Sequence, residues 1–120
     1  MKVEEPAVKY ENLMSPQEYL EWERTQELKH EYTEGFITAM QGASLNHNKI
    51  LVNLIRSVGS FLKKMHCDIY PSDLRTYVKA KESYFYPDAS IVCGEDIDFG
   101  DHDDISQYPS VIFEIAAIRN

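Results

Sequence analysis

Apolar residues recur at helical spacing in two stretches of the chain. Ser15-Pro16-Gln17-Glu18 combines an N-cap serine, a proline at the first helical position and a glutamate three residues after the cap, so a helix is predicted from Ser15 to about Glu27. A second helix is predicted from Ser44, because apolar positions then follow every three or four residues: His47, Leu51, Leu54, Val58, Phe61, Leu62 and Met65. This face is expected to lie against a sheet, with the helix's basic residues exposed.

Shorter runs rich in β-formers predict strands between and after these helices. Residues 30–32 and 36–40 flank Thr33-Glu34-Gly35, a turn whose glycine accepts positive φ, and are therefore expected to form a hairpin. Residues 67–70 and 74–78 also favour extended structure on either side of Pro71-Ser72-Asp73.

Two further strands each carry a carboxylate among residues that belong in a core. Residues 89–93 follow Pro87 and Asp88, so Asp88 is expected at the start of a buried strand. Residues 111–115 form a second apolar run that Glu114 interrupts. If these strands are neighbours, the two carboxylates are placed to share one hard metal ion such as magnesium. The alternative is that Asp88 caps a turn and Glu114 faces water on an edge strand.

Three other polar residues have weaker claims to a site. Glu31 is close to the end of the first helix, and its simplest role is that of a solvated side chain. Asp73 stands at a junction between strands, where an Asx-type turn is its simplest role. His47 has no second histidine at i+4, which favours a hydrogen-bonded structural histidine over a metal ligand.

Length, charge and hydropathy limit the number of domains, the mode of nucleic-acid binding and the location expected for this protein. A chain of 120 residues is expected to form a single domain spanning residues 1–120. Twenty acidic against twelve basic residues give a formal net charge of −8, which disfavours a broad, sequence-independent grip on nucleic-acid phosphates but leaves local basic patches open. No signal-like or membrane-spanning apolar run is present in the sequence, so a cytoplasmic protein is expected.

The two cysteines and the acidic stretch are not predicted to bind metal. Cys67 and Cys93 are far apart in sequence and belong to no CxxC or Cys/His zinc spacing, so two free, largely buried thiols are predicted. Residues 94–104 are rich in aspartate, but the ligand spacing of an EF-hand fails at Gly100 and Gln107. A solvated charged loop is therefore expected there.

An ordered set of short motifs resembles the Uma-type family of putative restriction endonucleases. The motifs are Met14 to Leu20, Lys29-His30-Glu31-Tyr32 with Gly35, Gly42-Ala43-Ser44 with Asn46-His47, Ser72-Asp73-Leu74-Arg75, Tyr86-Pro87-Asp88 and Pro109 to Ile115. The resemblance covers nearly the whole chain. It implies an α/β fold of the restriction-endonuclease-like PD-(D/E)XK class, in which a mixed sheet flanked by helices presents acidic residues to a divalent metal.

The resemblance also implies roles for four acidic residues. Asp88 matches the aspartate of the PD motif, and Glu114 matches the acidic residue of the following strand. Glu31 corresponds to the acidic residue beside the first helix, and Asp73 matches a further acidic position. The expected activity is hydrolysis of nucleic-acid phosphodiesters, with magnesium or manganese held by Asp88 and Glu114.

The chain departs from the family pattern after Glu114. The lysine of the D/E-x-K motif would stand at Ala116, and Arg119 is a poor general base because its pKa is too high. The chain also lacks the helix and strands that follow in the family, so weak or absent catalysis through truncation is expected. An exposed strand edge then favours a homo-oligomer, which would supply missing elements in trans. The rival interpretation is a non-catalytic remnant of the nuclease fold that acts in oligomerisation or partner binding.

Overall fold

The computed structural model describes residues 13–94 and 102–116, which contain helices and both parallel and antiparallel strands. These residues group into two compact units, one of residues 13–42 and 78–85 and the other of residues 43–77, 86–94 and 102–116. In chain order the elements are α1 (Pro16–Glu23), β1 (His30–Thr33), β2 (Phe36–Ala39), α2 (Leu45–Leu62), β3 (Cys67–Pro71), β4 (Arg75–Val78), a 3₁₀ turn (Lys79–Lys81), β5 (Ser83–Phe85), β6 (Ala89–Cys93), β7 (Ile105–Ser106) and β8 (Val111–Phe113).

Helix α1 begins as the sequence predicts. The Ser15 hydroxyl accepts the Glu18 N–H, and the Glu18 carboxylate accepts the Ser15 N–H, which completes a capping box. The predicted end near Glu27 is wrong, because the helix stops at Glu23. The Glu23 carboxylate instead accepts the His30 backbone N–H at 2.7 Å, in a buried contact with the first residue of β1. The helix therefore ends earlier than the helical pattern indicated, whereas β1 begins at His30 as predicted.

The first unit is an antiparallel set of strands with an aromatic core. β1 pairs with β2 in the predicted hairpin, and also with β5; the turn is Glu34 and Gly35 alone, because Thr33 belongs to β1 and pairs with Phe36. Tyr19 stacks on Tyr32 and on Tyr84 inside this unit, while the Tyr32 and Tyr84 rings are tilted by 54°; Tyr19 and Tyr32 are almost fully buried. Burial of these three rings stabilises the unit. The Tyr19 hydroxyl donates to the His30 carbonyl oxygen, and the Tyr32 hydroxyl donates to the Met14 carbonyl oxygen.

The second unit is built on the β3–β6–β8 antiparallel sheet, with α2 packed against β3. Helix α2 begins at Leu45, one residue after the predicted start, and Ser44 is its N-cap, whose hydroxyl accepts the His47 N–H. β6 is buried along Ala89 to Val92, as expected for a central strand with neighbours on both sides. The predicted apolar face of α2 is wrong at its far end, because Phe61 is 72% exposed and Met65 lies beyond the helix and is 50% exposed.

The predicted free, buried thiols are also wrong. Cys67 and Cys93 form a disulfide, and neither is fully buried. The antiparallel register of β3 and β6 places them directly opposite each other, with their Cα atoms 4.0 Å apart. This spacing is close to that of a non-hydrogen-bonded pair, where side chains approach most closely. The two cysteines are 26 residues apart in sequence, and only the register of the two strands brings them into contact.

The predicted fold class is confirmed, since helices pack on mixed strands in an α/β arrangement. Within residues 13–94 and 102–116, no helix has both the length and the apolarity to cross a bilayer. The expectation of a single domain stays a prediction. The acidic stretch falls largely outside the described residues, as does Arg119.

Candidate metal-binding site

Strand register brings Asp88 and Glu114 together. β6 and β8 pair antiparallel with Ala89 opposite Phe113, so the residue before β6 and the residue after β8 face each other. The Asp88 N–H donates to Glu114 Oε1 at 3.2 Å, and the Ile115 N–H donates to Asp88 Oδ2 at 2.6 Å. Each carboxylate is thus fixed by the backbone of the opposite strand.

His47 is the third side chain at this site, and it comes from α2. Its Nε2 lies 3.1 Å from Asp88 Oδ1, and the two side chains are 21% and 20% exposed. Because a carboxylate oxygen accepts hydrogen bonds, Nε2 carries the donated proton. Nδ1 is buried and has no hydrogen-bond partner among the described residues. Asp88 is therefore held from two directions, by His47 and by the Ile115 backbone.

The electrostatics of the pair favour a bound cation. Partial burial raises the pKa of the Glu114 carboxyl, and the charge of Asp88 raises it further. The Asp88 backbone N–H and the nearby His47 act in the opposite direction without cancelling the rise. Two carboxylates that repel each other in a partly desolvated position gain from any cation placed between them.

The donor set is consistent with magnesium. Magnesium is commonly held by one or two carboxylates, with water and substrate phosphates completing its oxygen shell. Asp88 and Glu114 supply two such carboxylates from adjacent strands. Within residues 13–94 and 102–116, however, no group of three or more His, Cys, Asp or Glu side chains is arranged to hold a metal. The residues therefore fit a metal that keeps most of its own water or phosphate ligands.

A buried arginine supports the segment that leads into Asp88. The Arg75 guanidinium donates to Asp104 Oδ2 at 3.0 Å and to the Tyr86 hydroxyl at 3.2 Å. Arg75 is 7% exposed, and Tyr86 is 4% exposed. A buried charge that is paired and hydrogen-bonded in this way fixes its neighbours. Since Tyr86 stands two residues before Asp88, this contact orients the start of β6.

The other two sequence-predicted site residues lie on other elements of the fold. Asp73 lies in the turn between β3 and β4 and lines a cavity of about 320 Å³ with Tyr70, Leu74 and the 103–104 aspartates. Burial raises the pKa of the Tyr70 hydroxyl in that cavity, and Asp68 adds to the rise. Glu31 lies on β1 in the first unit, opposite Thr38 on β2.

Sequence reasoning missed the contributions of His47 and Arg75. His47 was expected to be a structural histidine, and its proximity to Asp88 depends on how α2 packs in the second unit. The one signal available in advance was the Ser44 cap, which places His47 at the third position of a helix. Nothing in the spacing of the chain indicates that a residue 41 positions earlier contacts Asp88.

Comparison with known proteins gives consistent matches. Residues 16–118 match the family model described as "Uma2: Putative restriction endonuclease". An uncharacterised protein of Synechocystis is 42% identical over 80 residues, a match that covers 67% of this chain and 42% of that protein. A second uncharacterised Synechocystis protein is 34% identical over 104 residues, covering 86% of this chain and 58% of that one. The chain therefore spans about half the length of the curated relatives it matches.

A solved structure shares the fold. The crystal structure of a putative nuclease of the DUF820 group from Anabaena variabilis superimposes with a TM-score of 0.71 at 20% sequence identity. The superposition covers 87% of this chain and 59% of that one. At this identity the likeness establishes the architecture.

Proposed function

The chain belongs to the Uma2 family of putative restriction endonucleases, and from this premise we propose that it is a metal-dependent endonuclease that hydrolyses nucleic-acid phosphodiesters. Asp88 and Glu114 hold a magnesium or manganese ion. The observation that carries the proposal is that Glu114 Oε1 accepts the Asp88 N–H while Asp88 Oδ2 accepts the N–H of Ile115, the residue after Glu114. These hydrogen bonds hold the two carboxylates side by side before a metal arrives.

The chain's own residues have distinct tasks in this proposal. Asp88 and Glu114 bind the cation, and His47 orients Asp88 through its Oδ1 atom. When bound, the divalent ion polarises the phosphodiester, lowers the pKa of a bound water and stabilises charge on the phosphate. Water would attack phosphorus and release a proton to solvent, the P–O bond to one sugar would break, and the leaving oxygen would take up a proton from solvent. Ala116 supplies no charge where the D/E-x-K motif has a lysine, so slow turnover is expected.

Glu31 and Asp73 remain candidates of a different kind. We propose that Asp73, which lines the Tyr70 cavity, contributes to the site without ligating the metal. Glu31 is proposed as a contributor on the strength of the family pattern alone. Single Glu31→Gln and Asp73→Asn variants test this division, since only a residue that contacts the metal should change its affinity.

The direct test is cleavage of supercoiled plasmid and of single-stranded RNA with magnesium or manganese. Cleavage by the intact chain, its loss on chelation and its loss in Asp88→Asn and Glu114→Gln are the expected results. Glu27→Gln is a matched control, because Glu27 is exposed and carries the same change of charge. Cleavage that survives both site substitutions would rule out the assignment of these two carboxylates.

One observation favours the rival function, a non-catalytic oligomer-forming or partner-binding protein. Among the described residues, β8 pairs on one side only, with β6, and its Val111 and Ile112 side chains are 43% and 40% exposed. An apolar strand with an open edge favours pairing with another chain. Sedimentation that reports a dimer, together with no cleavage under any metal condition, would favour this function. The cytoplasmic location expected from the sequence stays a prediction.

A further inference from the structure

One helix of this acidic protein carries no acidic residue. The chain has a formal net charge of −8, yet no Asp or Glu lies between Glu34 and Asp68. Four basic residues fall in that interval: Lys49, Arg56, Lys63 and Lys64. Helix α2 occupies most of it. A polyanion that is repelled by the chain as a whole therefore meets its most favourable local potential at α2.

Three of these cations, two on α2 and one at its C-cap, form a nearly straight row along one exposed side of the helix. Lys49, Arg56 and Lys63 are spaced seven residues apart, and each step of seven falls about 20° short of two full turns. The row therefore follows the helix axis with about 10.5 Å between successive residues. All three residues are exposed, and none takes part in an ion pair recorded among the described residues. We call these three residues the basic row.

Polar amides flank the basic row. Lys49 and Arg56 line a shallow surface cavity of about 300 Å³ together with Leu45, Asn48, Val52 and Asn53. Asparagine amides and cationic side chains are donors that contact phosphate and sugar oxygens without reading base sequence. The lining of this cavity contains no acceptor-only carboxylate that would repel a phosphate.

We propose that the basic row on α2 binds the phosphate backbone of the nucleic acid that the candidate metal site cleaves. This inference rests on the proposed function, since it names the surface that captures the substrate. His47 precedes Lys49 by two residues and projects from roughly the opposite side of α2, where it contacts Asp88. The row therefore holds a segment of the strand outside the cleavage centre, and its loss weakens capture without altering the metal site.

A second copy of the chain fits this surface less well. Two helices packed antiparallel about Arg56 place the Lys49 of one copy opposite the Lys63 of the other and bring the two Arg56 side chains together. A parallel two-fold arrangement places each cation opposite the same residue of the other copy. Either arrangement opposes like charges along the whole row, which is unfavourable in a self-complementary interface. Charge complementarity therefore selects a polyanion.

The experiment measures the salt dependence of binding in a chain that cannot cleave. Every protein carries Asp88→Asn and Glu114→Gln, and a short fluorescein-labelled DNA duplex or RNA strand is titrated in chelator by fluorescence anisotropy. Lys49→Gln with Arg56→Gln removes two cations of the row. Lys79→Gln with Lys81→Gln is the matched control, because it removes the same charge from exposed positions outside α2. Glutamine preserves helix propensity in both pairs.

Each phosphate contact contributes about 0.9 to the slope of log K against log salt concentration on duplex DNA. The row variant is expected to lower the slope by about 1.8, for unrelated sequences alike, whereas the control keeps its slope. An unchanged slope in the row variant, or an equal fall in the control, overturns the proposal. The absence of nucleic-acid binding by the parent chain also overturns it.

Two further readouts separate this proposal from its premise. If the cleavage-competent chain cuts nucleic acid, and the row variant cuts equally well with the same salt dependence, the proposed function stands and the basic row is wrong. If the row variant changes the sedimentation of the free protein and leaves binding intact, the surface is an interface between copies and the proposal is again wrong. If the cleavage-competent chain never cuts nucleic acid but binds it through the basic row, the role of the row is supported and the proposed endonuclease activity is refuted.

Discussion

Neutralising Glu114 should stabilise the metal-free protein and weaken its response to magnesium. The pKa of Glu114 is raised by partial burial and by the Asp88 charge, so the ionised carboxylate opposes folding at neutral pH. Glu114→Gln removes that charge and keeps an oxygen that accepts the Asp88 N–H. The substitution therefore separates the cost of the charge from the value of the hydrogen bond.

The magnitude is small because the site is partly solvated. Two like charges about 4 Å apart repel by about 1 kcal/mol in water and by about 4 kcal/mol at an effective dielectric constant of about 20. Solvent screening at a largely exposed carboxylate favours the lower end, so Glu114→Gln is expected to raise the free energy of unfolding by about 0.5 to 1 kcal/mol in chelator. A magnesium concentration ten times the Kd raises the free energy of unfolding of the parent by about 1.4 kcal/mol. The variant should largely lack this increase.

Urea unfolding at neutral pH, with chelator and then with magnesium, measures both effects. Glu27→Gln, which removes an exposed charge elsewhere, should show neither. The upward direction of the Glu114 pKa shift also determines how the free energy of unfolding depends on pH. A raised folded-state pKa means that the Glu114 contribution is favourable at low pH and is lost as pH rises through that pKa, so the gap between variant and parent should close on acidification. A variant less stable than the parent in chelator, or equally stabilised by magnesium, would refute the reasoning.

Three other predictions follow from single contacts. Replacing Cys67 and Cys93 by serine should lower the free energy of unfolding by roughly 3.5 kcal/mol in the chain-entropy estimate for this loop, and a thiol reagent should find no free thiol in the unreduced protein. His47→Ala should weaken magnesium binding by about 10-fold to 100-fold in calorimetry, because the aspartate that it orients becomes free to turn. Glu23→Ala should cost about 3 kcal/mol in urea unfolding, since it removes the buried carboxylate that accepts the His30 backbone N–H, whereas a loss under about 0.5 kcal/mol would show that the contact is dispensable.

Local signals predicted most of the elements. The capping box at Ser15 and the cap at Ser44 located both helix starts, because side chains bond to backbone only a few residues away. The apolar runs at 89–93 and 111–115 located β6 and β8, although β8 ends at Phe113, so that Asp88 and Glu114 flank the strands; the pairing of β6 with β8 agrees with the hypothesis that the strands are neighbours.

Longer-range features were beyond sequence reasoning. The Cys67–Cys93 disulfide depends on the register of β3 against β6, which a gap of 26 residues does not encode. The His47 contact depends on how α2 packs in the second unit. The disulfide also bears on location, because reducing compartments such as the cytosol rarely preserve one, so the redox state of the protein taken from cells tests the cytoplasmic expectation.

Calorimetric titration of magnesium, and then of manganese, into the intact chain tests the central claim most directly. The account predicts one site per chain, with binding lost in both Asp88→Asn and Glu114→Gln and retained in Glu27→Gln. Folding of each variant is checked by circular dichroism before titration. Absence of binding in the intact chain, or binding that survives both site substitutions, would contradict the assignment of Asp88 and Glu114 as metal ligands.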